Sequence, residues 1–572
     1  MRSPLLWLAL LLHVALATSY AWCTPPFEGP DENSHYDYAW HIANAQQLPL
    51  TMQLAKQRGL PQTEGAVLAI HPPLYYAVVA AGIRAFGCDD TVSVPRRNAA
   101  FGNGSAPSQY LYWLHEEQPS RLLFWLRTIS VLLGAATILC VHRLGRICCP
   151  EVPRIGDLAA LLTACLPMWS ALHGILHNDV LAITLCSAAT LLLAELLHAD
   201  RVKARHGMLL GLLVGLAFLT KLTTLFLGGL CVLTAVILLR RKTTNITVIV
   251  TAAITTLAVS GWMFARNYAL YQDPLALNAH DQSFPPLPVE ARWLYFFGWA
   301  PWPETAPSFL PTIFTSLFGR FGWFQLPPHP ALICCGAVVA SLSGVGLVRA
   351  LYDRGRKYVP HASWLLLSAC VLVFLGTAYF NLSHPQPQAR YLFPAIAPAT
   401  VLLAAGLVRI SARIPHRRLA VWLLPMTAIA VFFATFRPAF DPALAPAPVA
   451  HRSLVGHIAQ DPANPSIEWT SHLSTSPLTA PPTLTWRDPN APVGTNYTLY
   501  AIGDNGRIWL ATHEWTKGSL KISGEQFAIP KNIWDFLPRD VPLWLKLRRV
   551  PTHANDVPRD LATSDRLRLI RK

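Results

Sequence analysis

Apolar runs of near-constant length set the pattern of this chain. They lie at 4–22, 122–141, 156–173, 178–198, 207–220, 222–239, 246–266, 331–350, 362–380, 391–410 and 419–437. Each is close to the roughly 20 residues that cross a hydrocarbon core about 30 Å thick. The pattern predicts about eleven transmembrane helices. The first run follows Arg2 and ends in Tyr20-Ala21-Trp22, which is bulky for a cleavage site, so it reads as an uncleaved helix. The apolar stretch at 66–86 behaves differently. His71-Pro72-Pro73 interrupts it, and two prolines suit a helix start but not a helix interior, so a short interfacial or re-entrant helix is expected at about 74–86.

Three larger polar segments separate or follow the runs: 23–120, 267–330 and a tail from 438. The tail is first Pro/Ala-rich and then alternates. Tyr497 to Ile502, a Gly503-Asp504-Asn505-Gly506 turn and Arg507 to Ala511 read as a β-hairpin. The expected fold is therefore an all-α polytopic membrane protein. It carries a large first extracytoplasmic loop and a small C-terminal β-rich extracytoplasmic domain. The transmembrane domain is assigned to 1–437 and the C-terminal domain to 438–572, with its β-rich part at about 455–550.

Composition supports lipid as the surrounding medium. The 572 residues are 52% hydrophobic and 13% charged, against about 25% charged in soluble globular proteins. Charge then fixes orientation. With a cytoplasmic N-terminus, the short inner loops at 142–155, 199–206, 240–245, 349–361 and 409–418 hold seventeen basic residues. The short outer turns hold only Lys221 and Arg390. This is the positive-inside bias. It accounts for the net charge of +15 and leaves no reason to invoke nucleic acid. Most of the eleven cysteines sit in apolar runs and read as core residues. Cys23 and Cys88 share the first outer loop, where a disulfide is open to them in an oxidising compartment. Asn103, Asn381 and Asn496 begin three-residue acceptor sequons, which matter only in a glycosylating host.

In this charge-poor chain, Asp31, Glu32, His35, Asp37 and His41 fall within eleven residues directly after the first run. The topology brings three other ionisable sites to the same side: Asp179 in His177-Asn178-Asp179, Lys221, and Arg390. Ionisable groups at a membrane boundary are costly unless solvated or paired, so each is a functional candidate. Plainer readings stand beside these. Asp31 and Glu32 could cap a helix at 32–47, and Lys221 could snorkel to headgroups. As chemistry, carboxylates can deprotonate an acceptor hydroxyl or hold a divalent metal. A lysine and an arginine can hold a lipid-linked phosphate, the arginine bidentately.

Five elements in this order resemble the GT-C superfamily of integral-membrane glycosyltransferases. They are Pro30-Asp31-Glu32-Asn33-Ser34-His35, His71-Pro72-Pro73-Leu74-Tyr75-Tyr76, Asn178-Asp179, Thr220-Lys221-Leu222-Thr223 and Ala389-Arg390-Tyr391-Leu392-Phe393-Pro394. The chain is similar to the bacterial branch of protein O-mannosyltransferase-like and lipid A aminoarabinose transferase-like enzymes. The resemblance covers about 1–437 and leaves the tail outside. It implies a sugar transfer from a polyprenyl-phosphate donor to an envelope glycan, lipid or protein, at the outer face of a bacterial inner membrane. It also implies Asp31 as base with Glu32 beside it, and Asp179 as helper or metal ligand. Lys221 and Arg390 would hold the donor phosphate. His35, His71 and Tyr391 would be further contacts for substrate or metal, and a divalent cation (Mg, Mn or Zn) would sit on Asp31 and Asp179. Nucleotide sugars do not fit as donors, because no nucleotide motif is evident and the site faces away from the cytoplasm. Two other functions stay open: a transporter or flippase for a lipid-linked saccharide, and an inactive scaffold that binds glycan.

Overall fold

The structure, a computed structural model, describes residues 3–86 (except 25 and 61–63), 120–297 (except 153), 309–321, 328–353, 361–411, parts of 426–433 and parts of 467–572. Cys88, Asn103, the Pro/Ala-rich start of the tail and most of the 419–437 run lie outside the described residues.

The chain opens with α1 (Pro4–Cys23), α2 (Glu32–Ala45), α3 (Met52–Gln57) and α4 (Leu74–Phe86). Then follow α5 (Ser120–Cys148), α6 (Ile155–Ala164), α7 (Pro167–Leu172), α8 (Asp179–His198) and α9 (Ala204–Phe218). The next group is α10 (Phe226–Arg240), α11 (Ile246–Tyr271), α12 (Leu277–Ser283), α13 (Val289–Phe297) and α14 (Phe309–Ser316). The last helices are α15 (Pro330–Asp353), α16 (His361–Ser383) and α17 (Ile396–Ser411).

Local rules set several of these boundaries. Ser3 Oγ accepts the Leu6 N–H at 3.4 Å and Pro4 occupies the first helical position, where its missing donor does no harm. Asn245 caps α11 in the same way, accepting from Val248 N at 3.3 Å. Helix α4 has 13 residues, about 20 Å, too short to span the hydrocarbon core and in keeping with the expected short helix.

Eight helices among the described residues are long and apolar enough to cross a membrane, including a continuous stretch from Ala389 to Ile410. The runs expected at 156–173 and 207–220 take shorter forms. The first divides into α6 and α7, because Pro167 cannot continue the helix before it. The second becomes the 15-residue α9. The surfaces of the long helices fit lipid, with Leu11 67%, Leu132 69%, Val232 65% and Leu257 67% exposed. Side chains of this type in such numbers on one surface would aggregate in water. The chain is a multi-pass membrane protein.

Small residues allow a close helix contact between α9 and α11. On α9, Gly207, Gly211 and Gly215 recur at every fourth position and face α11. A Cβ on Gly211 would lie 2.7 Å from Thr255 Cβ, and one on Gly215 would lie 2.8 Å from Val259 Cβ. With no gain from the hydrophobic effect inside lipid, this close packing is what joins two helices.

The tail holds β1 (Glu468–Trp469), β2 (Thr483–Arg487), β3 (Asn496–Gly503), β4 (Ile508–Ala511), β5 (Ile522–Ser523), β6 (Gln526–Ala528), β7 (Pro542–Arg549) and β8 (Leu567–Ile570). One sheet runs β1-β2-β6; the other runs β4-β3-β7-β8, with β5 also paired to β3. The expected hairpin is present as the antiparallel β3–β4 pair, with Ala501 opposite Leu510. Alternation puts Tyr497, Leu499 and Ala501 inward against Leu543, Leu545 and Leu547 of β7.

Candidate functional site

Five chain segments meet at one end of the long helices: the start of α2, the turn before α4, the α7–α8 connection, the α9–α10 connection, and the 3₁₀ turn Ala389–Ala395 before α17. Short backbone contacts tie them together. Leu74 N donates to Leu219 O at 2.9 Å, which sets the His71 turn beside Lys221. Ala389 N donates to Ser316 Oγ at 2.9 Å, which fixes the turn bearing Arg390.

Asp31 stands at the N-cap of α2 in the left-handed region, φ 62°, and its side chain makes no capping hydrogen bond. The simple helix-cap reading therefore does not hold for it. Left-handed backbone is unfavourable for a residue with a Cβ, although Asp tolerates it better than most, and here it turns the carboxylate away from its own helix. Arg390 Nη2 donates to Asp31 Oδ2 at 2.7 Å. Arg390 Nη1 contacts His177 Nε2. His177 Nδ1 lies 3.2 Å from Asp179 Oδ2, and Lys221 Nζ donates to Asp179 Oδ1 at 2.5 Å. Two carboxylates and two cations thus alternate around one imidazole.

Exposure singles out one member. The Asp31 side chain is 36% exposed, while those of Asp179, Arg390 and His177 are at 3% or less. Burial alone would raise the Asp31 carboxyl, but the Arg390 guanidinium, with His177 and His35 beyond it, holds it well below the usual carboxylate range. Burial depresses the imidazoles: His177 to about 4, His71 to about 3, and His35 well below its ordinary value. Lys221 is lowered by burial even with Asp179 against it. At neutral pH the three histidines are neutral and can act as ligands or acceptors.

Glu32 faces away from the charge cluster around Asp31. It is fully buried, and its oxygens are closed by Arg127 Nε at 2.8 Å, Arg127 Nη2 at 2.5 Å, Phe27 N at 3.0 Å and Leu176 N at 2.8 Å. With four donors filling its lone pairs, Glu32 is not placed to act beside Asp31 as a base. It locks the start of α2 to α5 and to the chain just before His177. Asp37 is likewise occupied, accepting from Gly65 N at 2.5 Å.

The other expected contacts reach the same place. The Tyr76 hydroxyl lies 3.0 Å from His35 Nδ1 and 3.3 Å from His71 Nδ1, and Asn178 Nδ2 lies 3.0 Å from that same His71 nitrogen. The Tyr391 ring centroid is 5.4 Å from both Lys221 Nζ and Arg390 Cζ, and its hydroxyl donates to Gln386 Oε1 at 2.6 Å. The metal-ligand set differs from the expected pair. Asp31, His35 and His177 bring their donor atoms within 4.8 Å of one another, whereas Asp179 is held by Lys221 and is not in that group. One carboxylate and two neutral imidazoles suit a zinc- or manganese-type ion. His177, Asn178, Tyr76 and Arg127 are the members that residue reading did not assign to the site. The signals were a histidine two positions before Asp179 and an arginine inside the run at 122–141.

The family model described as dolichyl-phosphate-mannose-protein mannosyltransferase matches residues 119–264. The matched stretch includes Arg127, Asp179 and Lys221, and it agrees with the resemblance to GT-C membrane glycosyltransferases drawn from the five motifs. No curated protein matches the sequence. Among solved structures, ArnT from Cupriavidus metallidurans bound to undecaprenyl phosphate is similar at 14% identity and TM-score 0.43, covering 75% of this chain and 63% of that one. The oligosaccharyltransferase AglB from Archaeoglobus fulgidus, in complex with an inhibitory peptide and a dolichol-phosphate, is similar at 14% identity and TM-score 0.43, with 80% and 58% covered. The S. cerevisiae protein O-mannosyltransferase Pmt1-Pmt2 complex bound to the sugar donor is similar at 15% identity and TM-score 0.33, with 51% and 36% covered. The chain thus spans less than two thirds of the length of each of these.

Proposed function

We propose that the chain is a membrane glycosyltransferase that moves a sugar from a polyprenyl-phosphate donor to an envelope glycan, lipid or protein. One observation carries this reading: the ionised, partly exposed Asp31 carboxylate lies against Arg390 at the meeting point of five distant segments. The acceptor hydroxyl approaches Asp31, the one carboxylate of the cluster open to the surface, and gives up its proton to it. The freed oxygen attacks the anomeric carbon as the bond from that carbon to the phosphate oxygen breaks. Arg390 and Lys221 receive the charge that collects on the departing polyprenyl phosphate, which is where preorganised cations help most. Both are already paired with carboxylates, so the incoming phosphate shares them and does not find them free. His177 keeps the two ion pairs in register.

A divalent cation bound by Asp31, His35 and His177 would supply positive charge that the neutral cluster lacks. Glu32 is a positioning residue in this scheme. The basic loops support a cytoplasmic N-terminus, with the site and the β-rich tail on the outer side of a bacterial inner membrane. The reading treats 1–437 as the transmembrane domain and 438–572 as a separate outer domain.

The test is transfer by the purified protein in lipid nanodiscs, with a panel of radiolabelled polyprenyl-phosphate sugars and an envelope extract as acceptor. Asp31→Asn should lower transfer by 10²-fold or more, the scale of a lost general base. Transfer by Asp31→Asn at the wild-type rate would remove the proposed mechanism.

A further inference from the structure

A second group of metal-type donors lies apart from the Asp31 cluster. His280 and Asp281 sit on α12, and His384 follows the last residue of α16. His280 Nδ1 is 3.2 Å from Asp281 Oδ1, and His384 Nε2 is 3.3 Å from that same oxygen. The Phe284 carbonyl oxygen is 3.0 Å from His384 Nε2. Ligands about 2.1 Å from a tetrahedral zinc stand about 3.4 Å from one another. The three measured separations are close to such an edge.

The surroundings suit a ligand role. His384 Nδ1 lies 3.1 Å from Ser383 Oγ, whose own hydroxyl donates to Phe380 O at 3.2 Å. Without a metal, Nε2 faces two acceptor oxygens, Phe284 O and Asp281 Oδ1, and carries the proton. A bound cation would displace that proton, with Nδ1–H then donating to Ser383 Oγ and fixing the ring, as outer-shell partners of metal-bound histidines do. The His280 and His384 rings meet edge to face at 4.6 Å, and Phe284 and Phe380 pack around them. Asp281 is 47% exposed, so the group has a path for entry.

We propose that His280, Asp281 and His384, with the Phe284 carbonyl, form a binding site for a zinc-type divalent transition metal, separate from the Asp31 cluster. Two imidazoles and one carboxylate favour zinc, manganese or iron over magnesium or calcium. The bound ion joins α12 to the end of α16. That junction is already made by Leu287 N donating to Ser383 O at 2.7 Å. It leads directly into the turn where Gln386 N meets Asn381 Oδ1 at 2.9 Å and Gln386 Oε1 receives the Tyr391 hydroxyl at 2.6 Å. The metal would act as a clip on the outer segment, close to the strand of chain that presents Arg390.

The experiment is zinc stoichiometry by elemental analysis on the full chain in detergent, after exchange into metal-free buffer and reloading with zinc alone. The wild type should retain zinc, and His384→Ala and Asp281→Asn should each lose one equivalent. His35→Ala should keep that equivalent. Ser383→Ala, which removes the outer partner, should weaken zinc binding about tenfold. Asp281 is exposed, so its variant reports on the site even where His384→Ala does not fold. Zinc lost in His35→Ala but kept in Asp281→Asn would move the metal to the other cluster and overturn the proposal. Absence of zinc from the wild type would overturn it as well.

Discussion

Asp31 and Arg390 are 359 positions apart in the chain and 2.7 Å apart in space. No other side chain in the candidate site is as open as Asp31 among those that carry its charge network. The pair has an asymmetry that can be tested. Asp31→Asn removes the base and leaves Arg390 with its His177 contact, so transfer should fall by 10²-fold or more. Arg390→Lys keeps a positive charge and loses the fork that touches Asp31 and His177 together, so it should still fail by tenfold or more. Equal transfer by wild type and Arg390→Lys would show that charge alone is needed.

The Glu32–Arg127 pair should behave as framework. Removing one partner strands a buried charge, which costs about 3–5 kcal/mol. Arg127→Met should therefore lower the unfolding midpoint strongly. Glu32→Gln combined with Arg127→Met should recover part of the loss, since neither charge is then left alone. Thermal unfolding in detergent compares the three proteins; a double variant no better than Arg127→Met alone would mean that the pair is not coupled in this way.

How much of this site could be read from residues alone depended on what each residue interrupted. Asp31, Asp179, Lys221 and Arg390 stand out because they place charge in outer turns where little else is charged, and the structure joins all four. Glu32 is expected beside Asp31 because the resemblance implies an acidic pair in the first outer loop, and adjacent acids cannot be told apart in a string. Consecutive positions entering a helix point about 100° apart, and here one carboxylate faces outward while the next is closed by four donors. Arg127 was hidden inside a run counted for its length. His177 is marked only by its place two positions before Asp179, and a histidine in a polar turn is ordinary until its neighbours are known. The division of 156–173 was written in Pro167, yet the length of the apolar run outweighed it.

Proton linkage gives a pH prediction for the chelated protein, in which no cation competes with protons. His71 and His177 are held at about 3 and about 4 by burial, against about 6.5 in an unfolded chain. Between those limits the unfolded state binds more protons, so stability rises with pH and falls as pH drops from about 6.5 towards 4. Asp31, held below its ordinary value, adds stability that is lost only at lower pH, as its folded carboxyl takes up a proton. Unfolding midpoints should thus decline from pH 7 to pH 5, and His71→Gln should flatten that decline. A midpoint unchanged across this range would contradict the depressed histidines.

Gly174 tests whether the α7–α8 connection must approach α1 closely. A Cβ there would lie 2.6 Å from Tyr20 Cβ and 2.9 Å from the Ala21 backbone nitrogen. Neither neighbour is the free end of a flexible side chain, so Gly174→Ala must push the connection away from α1. We expect a destabilisation of about 1–3 kcal/mol, the usual effect of overpacking. His177 and Asp179 follow within five residues, so transfer should also fall by tenfold or more. Full transfer with a lowered midpoint would separate the packing effect from the site.

Asp179 and Lys221 offer the sharpest separation of structure from chemistry. They are buried together, with Lys221 Nζ 2.5 Å from Asp179 Oδ1. Lys221→Met leaves Asp179 buried with only neutral His177 and the more distant Arg390 to balance it. Asp179→Asn leaves Lys221 without its acceptor charge. Each single change should destabilise by about 3–5 kcal/mol, and the double change by less than their sum. If the pair were only structural, Asp179→Asn with Lys221→Met would restore transfer along with stability. If Lys221 also takes charge from the departing phosphate, the double variant folds well and still transfers at least tenfold more slowly. The loss should appear in kcat more than in KM, because the phosphate charge develops on leaving. A double variant with wild-type kcat would confine Lys221 to holding Asp179 in place.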